Sequence, residues 1–110
     1  MRVVIFEAIP HAAHETEYFS LAAQLLPILQ KIDGFISIER FKGLSSPEKI
    51  VSLSFWRDEE AVQQWRSHEA HQAAQQKGRV SIFEHYRITV ADVVRQYDKT
   101  NALYHKPPES

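Results

Sequence analysis

The chain has 110 residues, of which 44% are hydrophobic and 25% are charged, and its formal net charge at pH 7 is -1. These values predict one soluble globular domain with a single modest core, and they argue against nucleic acid as the main partner. The chain has no cysteine, which excludes disulfides, thiol nucleophiles and zinc sites of the cysteine type. No apolar run is long enough to cross a membrane, and we expect a cytoplasmic protein.

The first two predicted elements are a strand and a helix. Residues 3–9 form a β-branched and aromatic run that is apolar on both faces, so both faces need cover. Apolar residues at helical spacing then predict a helix over residues 15–32, with Thr16 as its N-cap. Pro27 predicts a bend in this helix, and Gly34 follows its end.

A hairpin and a second helix follow. Residues 35–41 and 49–56 alternate as strands do, and the segment between them is rich in turn-forming residues. Asp58, followed by two glutamates, is typical of a helix start. We expect this helix to break near Ser67 and a second helical piece to cover residues 68–77.

The last predicted strand runs from residue 80 to about residue 97, with a β-bulge near residues 91–92. Residues 1–97 therefore form the predicted domain, and residues 98–110 form a loosely ordered tail. The order βαββαβ indicates an α+β, ferredoxin-like fold with two helices on one face of an antiparallel sheet. The other face needs another cover, and a second copy of the chain would supply it, so we predict a homodimer.

Several segments resemble one known family. They are residues 31–41 (KIDGFISIERF) and 52–61 (SLSFWRDEEA), followed by Trp65, His71 and the pair at 78–79. These stretches resemble antibiotic biosynthesis monooxygenase (ABM) domain proteins. The resemblance implies a dimeric α+β barrel with one pocket per subunit, between the sheet and its helices. Characterised members include cofactor-independent oxygenases of phenols and quinols, and haem-degrading oxygenases.

The first functional hypothesis follows from this resemblance. It is a small cofactor-independent monooxygenase that oxidises an aromatic phenol- or quinol-type substrate with O2. His71 or Tyr86 would remove or orient the phenolic proton, and Trp65 would stack on the substrate. These three are the predicted catalytic residues. The predicted substrate-binding residues are apolar walls and polar groups of the same pocket: Phe6, Phe55, Phe83, Arg79 and His68.

Most of these residues also have a structural interpretation. A tryptophan at helical spacing, such as Trp65, is equally typical of a core. His71 and His68 fit partly exposed, hydrogen-bonded histidines, and Arg87 fits a solvent-facing partner of a surface carboxylate. Glu7 interrupts the apolar first strand, either as a base with a raised pKa or as the partner of an arginine at a subunit edge.

Two cofactor alternatives stay open beside the prediction of no cofactor. A metal site built from His68 and His71, with His85 or Glu69 brought near, needs three or four convergent ligands, and a His-x-x-His pair alone does not define one. Haem-degrading relatives carry an axial histidine where this chain has Gln75, and a strand asparagine where it has Glu7. A haem-binding or haem-degrading protein is therefore the second hypothesis, and a non-catalytic ligand-binding dimer is the third.

Overall fold

The computed structural model describes residues 1–68 and 82–99, and within them the elements follow the predicted βαββαβ order. A short 3-10 turn at Ala12–His14 precedes the first helix. The strands and helices are β1 (Arg2–Pro10), α1 (Glu15–Gln30), β2 (Phe35–Lys42), β3 (Ile50–Trp56), α2 (Glu59–Ser67) and β4 (Phe83–Asp92). None of the helices in these residues is long and apolar enough to span a membrane.

The four strands form one antiparallel sheet in the order β2-β3-β1-β4. The register places four residues in one row across it: Arg40, Ser52, Phe6 and Ile88. Directly paired residues share a face, and this row lies on the face covered by α1 and α2, which we call the helix face. The opposite side, or open face, carries the row Phe41, Val51, Glu7 and Arg87.

The ends of α1 differ from the prediction. Thr16 is not its N-cap, because the helix begins at Glu15 and His14 occupies the capping position without a side-chain hydrogen bond. The helix ends at Gln30, two residues before the predicted end. Gly34 follows with a φ of 94°, as expected for a left-handed turn. A Cβ at this position would lie 2.6 Å from the Cβ of Ala61, so the glycine also lets α2 approach closely.

The predicted start of the second helix is confirmed. The Oδ1 atom of Asp58 accepts a hydrogen bond from the Ala61 N–H at 2.9 Å, which stabilises the first turn. The Arg57 guanidinium donates to both oxygens of Asp33, at 3.0 and 3.1 Å, and so ties this start to the end of the α1–β2 turn. α2 ends at Ser67, and His68 has extended backbone angles. The rest of the second helical piece lies outside the described residues.

The last strand is shorter than predicted. β4 ends at Asp92, and its pairing with β1 is continuous to Arg2, so the bulge predicted at residues 91–92 is wrong. The pairing of β4 with β1 stops at the start of β1, where the Val93 N–H donates a hydrogen bond to the Met1 carbonyl at 2.9 Å. The register shift lies at the other end of β1, beside Pro10, which has no N–H to donate to a ladder.

Candidate substrate cavity

A cavity of about 360 Å³ lies between the helix face and the two helices. This volume suits a small organic molecule. Its wall is formed by side chains of all four strands and both helices: Val4, Phe6, Tyr18, Leu21, Ala22, Leu25, Arg40, Ser52, Val62, Arg66, Phe83, Tyr86, Ile88 and Val90.

Aromatic side chains form one side of the cavity. The Phe6 ring centroid lies 5.4 Å from that of Phe83 and 6.0 Å from that of Tyr86. The Tyr18 ring lies 5.5 Å from Phe83 in an edge-to-face arrangement, a favourable geometry for aromatic pairs. The structure thus brings three predicted site residues, Phe6, Phe83 and Tyr86, onto one wall.

The polar groups of the wall are few, and the main one was not predicted from the sequence. Arg40 projects from β2, and its Nε atom is buried without a hydrogen-bond partner. Burial raises the pKa of the Tyr18 hydroxyl, and the positive charge of the nearby Arg40 guanidinium partly opposes this rise. The available signal was the phase of Arg40, which lies two residues after Ile38 and therefore shares its strand face.

Two predicted pocket residues lie elsewhere. Trp65 packs in the core, in a cluster that we call the packed end: Leu29, Trp56, Ala61, Val62 and Trp65. It belongs to the same cluster as Val62, which lines the cavity, but does not line the cavity itself. The core interpretation therefore describes its position. Phe55 pairs with Val3 on the open face and does not line this cavity.

Comparisons with known proteins agree with this geometry. The family model for antibiotic biosynthesis monooxygenases matches residues 1–77. The chain belongs to the ABM family. It is 45% identical over 93 residues to a jasmonate monooxygenase ABM of Pyricularia oryzae, covering 84% of this chain and 43% of that protein. The chain therefore spans less than half the length of this fungal relative.

Two further similarities support the assignment. The chain is 31% identical to the uncharacterised protein YqjZ of Bacillus subtilis, over 84% of this chain and 79% of that protein. A crystal structure from Deinococcus radiodurans matches with a TM-score of 0.80 and 14% identity, covering 89% of this chain and 97% of that one. The ABM fold is thus shared at low sequence identity.

The remaining predicted residues of this ABM protein are distributed as follows. His68 is exposed at the end of α2, its ring 6.2 Å from that of Trp65, and it does not line the cavity. His71, Gln75 and Arg79 lie outside the described residues, so their roles stay predictions.

Glu7 has the structural role and not the catalytic one. Its carboxylate lies 2.7 Å from the Lys49 ammonium and 2.8 Å from the Arg87 guanidinium, on the open face. Hydrogen bonds from Arg87 and then Lys49 lower the pKa of Glu7 from 4.5 to about 2. The two cations favour the ionised carboxylate, which fits the interpretation of Glu7 as the partner of an arginine, and Arg87 is a surface partner of a carboxylate, as predicted.

The histidines proposed as metal ligands are not brought together where the structure describes them. His85 pairs with Ile9 on the open face of the sheet, whereas His68 ends α2 on the helix side. Within residues 1–68 and 82–99, no group of three metal-ligating side chains forms.

Proposed function

We propose that this ABM protein is a monooxygenase that oxidises a small, cyclic and largely apolar molecule with O2, without a cofactor. The observation that carries the proposal is the cavity of about 360 Å³, whose wall is mostly aliphatic and aromatic with few polar groups. The 45% identical fungal relative named a jasmonate monooxygenase supports oxygenase activity. The aromatic wall of Phe6, Phe83 and Tyr86 favours a phenol- or quinol-type substrate.

The chemistry suits a substrate whose C–H or O–H is acidic enough to be deprotonated in the cavity. His71 is the proposed base and the Tyr86 hydroxyl orients the substrate oxygen. The substrate anion transfers one electron to O2, and recombination gives a carbon-bound peroxide. Loss of water then converts a ring CH2 to a C=O, so that one oxygen atom enters the product and the other leaves as water. The apolar walls keep bulk water from the anion.

Oxygen uptake with anthrone as the model substrate tests this proposal. The purified protein is mixed with anthrone anaerobically, 18O2 is admitted, and the quinone product is analysed by mass spectrometry. We expect protein-dependent product that carries one labelled oxygen. Tyr86→Phe and His71→Gln should each slow turnover by ~10²-fold or more, as loss of a general acid–base group does. Tyr97→Phe, a surface tyrosine outside the cavity, is the matched control.

A second candidate substrate follows from the relative's name. Jasmonic acid is supplied under the same conditions, and a product with one added oxygen is sought. Turnover of jasmonic acid in place of anthrone would move the substrate class from phenols to cyclic ketoacids. Failure of both substrates, with Tyr86→Phe and His71→Gln indistinguishable from the unaltered protein, would overturn the oxygenase assignment.

We also propose that the protein is a homodimer that pairs its open faces. The inner strands β1 and β3 carry half-buried apolar side chains there: Val3, Ile5, Ile9, Val51, Leu53 and Phe55. Glu39 on β2 and Arg87 on β4 lie toward the sheet edges, as in an interface with an apolar centre and a polar rim, and Arg87 also pairs with Glu7 on the inner strand β1. Sedimentation velocity should give a dimer, and Leu53→Lys should give a folded monomer. A monomeric unaltered protein would contradict the proposal.

A further inference from the structure

Arg40 is a cation inside an otherwise apolar layer. It lies on the helix face of β2, in the row that continues through Ser52 to Phe6. Its Nε atom is buried and donates no hydrogen bond, and its guanidinium lies near the Tyr18 hydroxyl on the same cavity wall. An unused donor of a buried charged group costs folding free energy. A ligand in the cavity would supply the missing acceptor and offset this cost.

The charges around the cavity are unbalanced. Its described lining includes two arginines, Arg40 and Arg66, and no aspartate or glutamate. The nearby acids of α1 are engaged elsewhere, since Glu15 pairs with Lys42 at 2.8 Å and Glu17 with His14 at 2.9 Å. Within residues 1–68 and 82–99, therefore, no carboxylate neutralises Arg40.

We infer that Arg40, together with the Tyr18 hydroxyl, binds the carboxylate of a substrate whose remainder is apolar. This inference rests on the proposed oxygenase function and specifies its substrate class. The Nε–H and a terminal N–H of a guanidinium point in parallel and match the two oxygens of a carboxylate. Arg66, exposed at the end of α2, adds positive charge beside the same cavity.

The position of Arg40 also sets where the reacting carbon lies. Arg40 is on the edge strand β2, and Tyr86 is on the opposite edge strand β4, with β3 and β1 between them. Three strand spacings separate their backbones by roughly 14 Å. A substrate held by its carboxylate at Arg40 would present its other end to Tyr86. Arg40 is thus a specificity-determining residue, and the substrate carries its acid and its oxidised carbon at opposite ends.

Calorimetric binding of a matched acid and amide tests this inference. The probes are 1-naphthaleneacetate and the neutral 1-naphthaleneacetamide, which differ only in the group that Arg40 would hold. We expect the unaltered protein to bind the acid roughly 10- to 100-fold more tightly, as hydrogen bonds to a charged group imply. Arg40→Met should abolish this preference while leaving the affinity for the amide unchanged.

Two further variants make the result decisive. Lys42→Met removes a cation from the same face of the same strand, but its ammonium pairs with Glu15 at the surface. It should keep the preference for the acid, which excludes a general effect of charge. Arg40→Gln keeps a polar group beside Tyr18 without the charge and should also lose the preference. It therefore tests the inference even if Arg40→Met folds poorly.

The opposite results would overturn the inference. Equal affinity for acid and amide, no binding of either probe, or a preference that survives both Arg40 variants would each do so. The assay needs neither O2 nor turnover, so its failure is distinct from failure of the oxygenase. Acid-selective binding without any oxidation would support the carboxylate site and contradict the proposed oxygenase function.

Discussion

The two ends of the helix–sheet layer are built from the same elements but are filled differently. At the packed end the Trp56 and Trp65 rings stack at 6.5 Å and 24°, and Ala61 and Val62 are each 1% exposed. At the cavity end, Ile88 and Val90 also lie on the helix face, yet they are 43% and 40% exposed. The layer is closed by two indoles at one end and left open at the other.

The length of α2 accounts for part of this difference. The helix begins at Glu59, directly after its cap Asp58, and ends at Ser67, and it packs against β3. The strands that line the cavity carry small side chains at two positions, Ser52 on β3 and Val4 on β1. Short helix and small side chains together leave a binding volume without disturbing the packed end.

Trp56→Ala should show the largest difference between the two ends. Trp56 is 1% exposed at the centre of the packed end, and truncating a buried tryptophan costs about 3–5 kcal/mol of unfolding free energy. Val90→Ala, on the cavity wall, should cost about 1 kcal/mol or less. Urea unfolding monitored by circular dichroism measures both. Equal losses would show that the cavity end carries as much packing energy as the packed end.

Enlarging one alanine at each end sharpens the same comparison. Ala61→Leu has no space, because Ala61 is 1% exposed and lies against the α1–β2 turn, and overpacking costs about 1–3 kcal/mol. Ala22→Leu extends into the cavity and should change stability by less than about 1 kcal/mol, while weakening the binding of 1-naphthaleneacetate. A destabilised Ala22→Leu that still binds the probe would contradict the open-cavity description.

Most of the fold was predictable from the sequence. The helix spacing, the Asp58 cap and the turn at Gly34 are local signals, and local signals survive in the folded chain. The prediction failed where the answer depends on pairing. Alternation shows that Phe55 and Leu53 share a face, but only the register with β1 shows that this face turns away from the helices.

The candidate site was less predictable, for two physical reasons. The sequence fitted Trp65 equally well as a cavity wall and as a core residue. The helical period predicts the side of the helix on which a residue lies, but not whether that side faces a cavity or a packed core. Arg40 was missed because a charge in an alternating strand is normally solvent-exposed. Its burial depends on α1, which brings Tyr18 over the strand from a distant part of the sequence.

The smallest predicted effect concerns Glu7, which lies on the open face of the sheet, and the dependence of stability on pH. The pKa of Glu7 falls to about 2 in the folded protein because Arg87 and Lys49 bind its carboxylate. A lowered pKa stabilises the fold above about pH 4.5, and the stabilisation is lost as the pH falls from there toward 2. Melting temperatures across this range should decline less for Glu7→Gln. An identical decline in both proteins would assign the acid sensitivity to other carboxylates.

The position of the stacked indoles also determines which part of the protein its tryptophan fluorescence and circular dichroism monitor. Both tryptophans of the chain lie at the packed end, whereas the cavity wall carries Tyr18 and Tyr86. Indole emission and the near-ultraviolet circular dichroism of the two indoles therefore follow unfolding of the packed end. A ligand in the cavity would instead act on the tyrosines, and would change the light received by the indoles through energy transfer. One sample thus offers separate optical signals for folding and for occupancy.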